Sequence, residues 1–257
     1  MGTDSFPPTS EDAVLGGRLR LRQPLAGHRV GHDAILLAAA TGGHAGELAV
    51  DLGAGVGAAG LALAVRATGL KVVLVEIDPA LAQLAGENVE ANRLGDRVRA
   101  VTADVEDVAA LAAIGLSAAS ADRVLMNPPF HDAAKHQVSP DKGRRLAHAG
   151  DIGLLQRWAA SAAVLLRPGG VLTLIWRGDE AEAAADALRR HFGALAILPV
   201  LPRADMPPVR LLMRAIKGGS GKIATLPPLV LNEPEGKPSA AAEAVLRHAV
   251  VLPLVNA

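Results

Sequence analysis

The sequence predicts a doubly wound α/β fold built on a mostly parallel sheet. Three observations point there. From Glu47 onward, short apolar runs alternate with longer helical ones, the pattern of repeated βα units. The first of these strands runs straight into a glycine-rich turn. Polar and acidic residues gather at strand ends, where open α/β sheets bind their ligands.

The elements follow in order. Residues 1–14 read as a disordered lead. Leu15 to Leu21 alternates leucine with arginine and predicts a short strand, with a turn at Pro24 to Gly27. Asp33 stands as an N-cap before a helix over Ala34 to Ala40. Strands are predicted at Leu48–Leu52, Lys71–Glu76, Val98–Thr102, Asp122–Met126 and Val171–Trp176. Between them fall helices at Ala58–Ala67, Pro79–Arg93, Glu106–Ile114 and Asp151–Leu166, with residues 131–150 as a long polar loop. Pro79 opens its helix, as proline can at a first turn, and Pro168-Gly169-Gly170 closes the last. A helix at Glu180–Phe192 and strands at Ala194–Val200 and Val209–Ile216 complete the sheet. The proline-rich link between those two strands lets them pair antiparallel at an edge. Gly218-Gly219-Ser220-Gly221 then breaks the pattern, before a proline-rich tail with a short helix at Ser239–His248. The chain divides into an N-terminal extension (1–30), an α/β domain (31–217) and a tail (218–257) read as an appendage.

Composition narrows the function classes. The 257 residues are 50% hydrophobic, enough for a sizeable core. Cysteine is absent, which excludes disulfides and thiolate chemistry and fits a cytoplasmic protein. Lys plus Arg equals Asp plus Glu at 26 each, which argues against a basic coat. Local basic segments remain at Gly16–His32 and His131–Gly150. Met1 to Pro8 lacks the basic start and apolar run of a signal peptide. No apolar stretch reaches the roughly 18 residues that a bilayer demands.

The glycine turn reads Asp51-Leu52-Gly53-Ala54-Gly55-Val56-Gly57. Gly53, Gly55 and Gly57 let the backbone turn sharply and approach a ligand, and the following helix presents free N–H groups. Gly55, Gly57 and Gly60 also satisfy the dinucleotide pattern, and Glu76 lies about 20 residues on, where a ribose-binding acid belongs. The turn alone does not separate the two cofactors. Glu76 can accept from two ribose hydroxyls, and Asp104, ending the third strand, from an adenine amino group. Asp51 suits a methionine ammonium, directly or through water, and would sit badly beside a pyrophosphate. The acids together favour S-adenosylmethionine, with S-adenosylhomocysteine as product. Each acid could instead cap a helix, Asp104 above all.

Asp122 to Phe130 reads Asp-Arg-Val-Leu-Met-Asn-Pro-Pro-Phe. Pro128 and Pro129 have no N–H and end the strand ladder. The turn offers the Asn127 amide oxygen and the Pro128 carbonyl side by side, one for each hydrogen of a planar –NH2. An aryl or amide nitrogen is a poor nucleophile because its lone pair is delocalised. Two acceptors aim that lone pair and stabilise the positive charge that develops on nitrogen. Phe130 can stack on a planar substrate, worth roughly 1–3 kcal/mol for a base. The whole chain has only three Phe, two Trp and no Tyr, so an aromatic in that place is informative.

Asp51 to Gly57 with Asn127 to Phe130 resembles the class I, Rossmann-like amino methyltransferases over about residues 30–216. The resemblance implies a seven-stranded sheet, the methyl donor named above, no metal, and adenine N6, guanine N2 or a glutamine amide as acceptor. Gly17 to Pro24, with Arg29-Val30-Gly31-His32-Asp33-Ala34-Ile35-Leu36-Leu37, is similar to the start of bacterial tRNA adenine-N6 methyltransferases acting on a valine tRNA. That implies a tRNA partner and a place for Asp33 near the cofactor; His32 replaces the threonine usual in that family. Lys142, Arg144 and Arg145, in the loop after the catalytic turn, are the candidate RNA contacts. Two rival enzymes are a protein glutamine N5-methyltransferase, which usually carries a helical N-terminal domain, and a small-molecule O-methyltransferase, which needs a base or metal for a hydroxyl. A binding module without turnover and a nicotinamide oxidoreductase are the remaining alternatives.

Overall fold

The central strands are buried on both faces, and their successive residues fall into two cores that set the layers. The computed structural model describes residues 8–25, 30–129 and 142–257, without the side chains of 142–151. The strands are β1 (Thr9–Val14), β2 (Leu19–Pro24), β3 (Leu48–Leu52), β4 (Lys71–Glu76), β5 (Val98–Thr102), β6 (Ala121–Met126), β7 (Leu166–Arg177), β8 (Phe192–Leu201), β9 (Arg210–Lys217), β10 (Ala224–Thr225) and β11 (Leu229–Val230). The helices are α1 (His32–Thr41), α2 (Ala58–Arg66), α3 (Pro79–Ala91), α4 (Val108–Ala113), α5 (Lys142–Leu165), α6 (Ala181–Arg189) and α7 (Ala240–Arg247).

The main sheet runs β10-β8-β9-β7-β6-β3-β4-β5, and β11 also pairs with β8. Strands β3 to β7 run parallel to one another, and β9 is antiparallel to both β7 and β8. Because side chains alternate across a strand, Val50, Leu52, Val124 and Met126 pack towards α4, α5 and α6. Ala49 and Leu125 pack towards α1 and α2. This is the doubly wound sheet that the sequence predicts, with seven strands at its centre. The antiparallel pair of β8 and β9 lies at one end of the sheet, as its proline-rich link suggests, with β9 inside β8 and the two-residue β10 and β11 added outside.

The N-terminus departs from expectation. Residues 9–14 form β1, paired with β2 from Thr9↔Pro24 to Val14↔Leu19. Leu15–Gly17 is a 3-10 turn with positive φ at Leu15, Gly16 and Gly17, so the strand starts later than its leucines suggest. Leu15, Leu19 and Leu21 are buried. Asn88 of α3 and the helix's C-cap residue Asn92, one helical turn apart, hold β2 by its backbone. Their side-chain oxygens accept from Arg22 and Arg20 N–H at 2.8 and 2.9 Å, and their amides donate back to the same residues' carbonyls. Of the loop expected over 131–150, the last nine residues belong to α5, and 131–141 lie outside the described residues. Helix α4 is shorter than predicted and is capped by Asp107, whose carboxylate accepts from Ala109 and Ala110 N–H.

Residues 218–257 dock on the sheet. They add β10 and β11 to β8, while α7 and the segment Pro253–Asn256 cover α1. Arg66 of α2 donates to the Val245 and Val250 carbonyls, and Arg18 to that of His248. Leu252 and Leu254 are buried against the α1 face. Leu254→Ala should therefore cost about 2–5 kcal/mol of stability, the range for emptying a buried leucine site, read as a lowered urea midpoint. A surface-like change below about 0.5 kcal/mol would show the segment to be loosely attached. Among the described residues no helix is long and apolar enough to cross a membrane.

Candidate active site

The strand order reverses between β3 and β6, because β4 lies on one side of β3 and β6 on the other. Such a switch point leaves a crevice outside the carboxyl ends of the two strands. The register shows what meets there. Leu52 is level with Val75 of β4 and with Met126 of β6, and Glu76 is level with Thr102 of β5. Asn127, Gly53, Glu76 and Ala103 therefore follow one another along a single edge, at about 4.8 Å per strand.

The glycine turn is built as its composition demands. Gly53, Gly55 and Gly57 have φ of 70°, 56° and 88°, a region that other residues avoid. Gly53 and Ala54 N–H donate to the Val75 carbonyl at 2.9 Å. A methyl group on Gly53 would collide with the Trp158 ring of α5. Trp158 is thus the floor of the turn, and nothing in a local sequence pattern links two residues so far apart.

Two acids hold the turn from within. The Glu76 carboxylate accepts from Gly55 N–H at 2.7 Å and from Asp78 N–H at 3.0 Å. Asp51 is 2% exposed and accepts from Gly60 N–H, in the first turn of α2, at 2.8 Å. Burial pushes the Asp51 carboxyl up to about 7, the Gly60 N–H pulls it down, and the charge of Glu76 pushes it up again. Asp104 is exposed and accepts from Glu106 N–H at 2.8 Å. It bends the chain after β5, while the helix cap is Asp107.

Asp33 is not an N-cap; Gly31 holds that position. Asp33 lies in the first turn of α1 and pairs with Arg210, at the start of β9, at 2.8 Å. The pair ties the opening of α1 to the far half of the carboxyl edge. Gln23, 4% exposed, steadies the approach to α1 by accepting from Val30 N–H at 2.8 Å.

The Asn127 side-chain oxygen is buried and has no hydrogen-bond partner among the described residues. Pro128 is buried and Pro129 exposed. Phe130 lies outside the described residues, as do the side chains of Lys142, Arg144 and Arg145, whose backbone begins α5. Buried polar atoms are nearly always satisfied, so an orphaned acceptor marks a place where a donor from outside belongs. A crevice with a glycine turn, a ribose-type acid and an orphaned amide oxygen can hold a nucleoside-like cofactor beside an amino group.

The methyltransferase small domain family matches residues 30–199. A tRNA1(Val) (adenine(37)-N6)-methyltransferase from Trichodesmium erythraeum is 33% identical over 202 residues, 77% of this chain and 81% of that protein. One of the same name from Porphyromonas gingivalis is 34% identical over 155 residues, and the chain spans about three fifths (59%) of its length. The crystal structure of a protein from Agrobacterium tumefaciens described as a predicted O-methyltransferase superposes with a TM-score of 0.71. It is 28% identical, and the match covers 85% of this chain and 97% of that one. With the carboxyl-edge crevice and the family match in agreement, the chain belongs to the methyltransferase small domain family.

Proposed function

We propose that the chain is a cytoplasmic S-adenosylmethionine-dependent methyltransferase acting on the exocyclic N6 of an adenine in tRNA, with residues 31–217 as the catalytic domain. The observation that carries this reading is the buried, unpartnered Asn127 oxygen, one residue past the β6 position level with Leu52 at the start of the glycine turn. The adenine target is supported by the activity named for the Trichodesmium and Porphyromonas relatives.

Bound S-adenosylmethionine supplies an electrophilic methyl group. The chain's own part is positioning and charge. Glu76 and the turn of Gly53, Gly55 and Gly57 form the nucleoside cradle, with Asp104 beside the base and Asp33 at its rim. Asn127 and the Pro128 carbonyl accept the two hydrogens of the adenine amino group and orient its lone pair. As nitrogen becomes positive, both acceptors gain strength in a site that water does not screen. Pro129 stiffens the turn, and Phe130 stacks on the base. Lys142, Arg144 and Arg145 reach the phosphates.

The test supplies tritiated donor with, separately, total bacterial tRNA, release factors and small phenols, then digests labelled RNA to nucleosides. Label in N6-methyladenosine of tRNA supports the reading. Label in a release factor keeps the chemistry and overturns the substrate.

Asp51 adds a pH dependence. Its carboxyl titrates at about 7 in the fold against 3.8 ordinarily, so the folded protein keeps this proton over the window between those values. The unfolded chain loses it, and the group's share of stability falls as pH rises through that window. The negative charge offered to the donor's ammonium, directly or through water, appears only above it. Donor affinity should rise from about pH 6 to 8 by calorimetry, and Asp51→Asn should flatten the rise. The same slope in Asp51→Asn would assign the proton elsewhere.

A further inference from the structure

The carboxyl edge continues past the crevice to the loop joining β8 and β9, residues 202–209. Arg210 is level with Arg177 at the end of β7, and β7 is the neighbour of β6. Met126 is level with Leu174, so the start of β9 lies two strand spacings across and two residues beyond Asn127, roughly 12 Å away. A single-stranded nucleotide next to the target base reaches that far.

Two features of this loop belong together. Its backbone is fixed. The Pro202 carbonyl accepts from Asn232 through both backbone and side-chain N–H, at 3.1 and 3.0 Å. Met206 N–H donates to Arg203 at 3.1 Å and Val209 N–H to Val200 at 2.9 Å. At Gly178 the end of β7 comes so close to Pro208 that a side chain there would strike its carbonyl. Yet on this fixed frame Met206 is 43% and Val209 41% exposed. Three arginines flank them. Arg177 pairs with Asp179, Arg210 with Asp33 and Arg203 with Asp205, and the Arg203 side chain is 47% exposed.

We propose that Met206 and Val209 form an apolar ledge that receives the nucleobase flanking the target adenine, with Arg203 at the adjoining phosphate. The inference rests on the tRNA reading above. Bases present apolar faces to any flat or polarisable surface, and a rigid ledge orders them at little entropic cost. A rigid apolar surface exposed on the same edge as the transfer site serves a ligand larger than one base.

The experiment compares wild-type protein with the double variant Met206→Glu/Val209→Glu and with Met206→Phe. Binding of fluorescently labelled total tRNA by anisotropy, donor affinity by calorimetry and steady-state transfer to tRNA are measured together. The glutamate pair should weaken tRNA binding and raise the tRNA KM by about tenfold, with kcat and donor affinity within twofold. Met206→Phe should bind tRNA at least as tightly as wild type. Unchanged tRNA binding in the glutamate pair overturns the ledge and leaves the tRNA reading intact. Equal loss of donor affinity shows a structural role and also overturns it. Wild-type protein that binds tRNA in a Met206-dependent way without methylating it keeps the ledge and sinks the activity. Wild-type protein that binds no tRNA removes both.

Discussion

Asn127→Ala should lower methyl transfer by roughly 10²–10³-fold, the effect of deleting one preorganised partner of developing charge, while donor affinity stays within about threefold. The asymmetry follows from where the oxygen stands. It is buried, without a partner among the described residues, and placed one residue past the end of β6. Little in the fold depends on it, so its removal costs little stability. The transition state depends on it twice, for the direction of the nitrogen lone pair and for the charge that nitrogen acquires. Single-turnover transfer with tritiated donor, alongside calorimetry of donor binding, separates the two. Transfer within tenfold of wild type would remove Asn127 from the mechanism. Asn127→Asp keeps an acceptor oxygen in the same place and should retain more activity than alanine.

Glu76→Ala should weaken donor binding by at least about 100-fold. In the folded chain the carboxylate already holds Gly55 and Asp78 N–H, and hydrogen bonds to a charged group contribute about 1.5–3 kcal/mol each. Alanine removes the order of the turn and the ribose acceptor together. Glu76→Gln keeps one acceptor and should fall between. Because Glu76 is 8% exposed and its charge raises the Asp51 carboxyl, the alanine variant should also shift the pH midpoint of donor binding downward. Donor affinity unchanged in Glu76→Ala would mean that the nucleoside lies elsewhere on the edge.

The difference between sequence and structure lies in range. The glycine turn, the acids that end β4 and β5 and the Asn127-Pro128-Pro129 stop are local patterns. A strand that ends in glycines or prolines has few other conformations open to it, and the two-residue period of extended backbone fixes which face each residue takes. The doubly wound sheet follows from the same alternation. Contacts between distant segments left no such mark. Trp158 under Gly53, Asn88 and Asn92 along β2, and Arg210 on Asp33 each join residues that only the folded sheet brings together. The same holds for residues 9–14, whose polar sequence becomes a strand only because β2 lies beside it, and for residues 218–257, which dock because α1 presents an uncovered alanine- and leucine-rich face. By itself the sequence determined the fold class and the turns that end β3 and β6, because local backbone preference and the order of apolar runs dictate both. Tertiary structure decided which partners hold those residues, since burial charges any unpaired polar group and the chain resolves that cost with whatever the fold brings near.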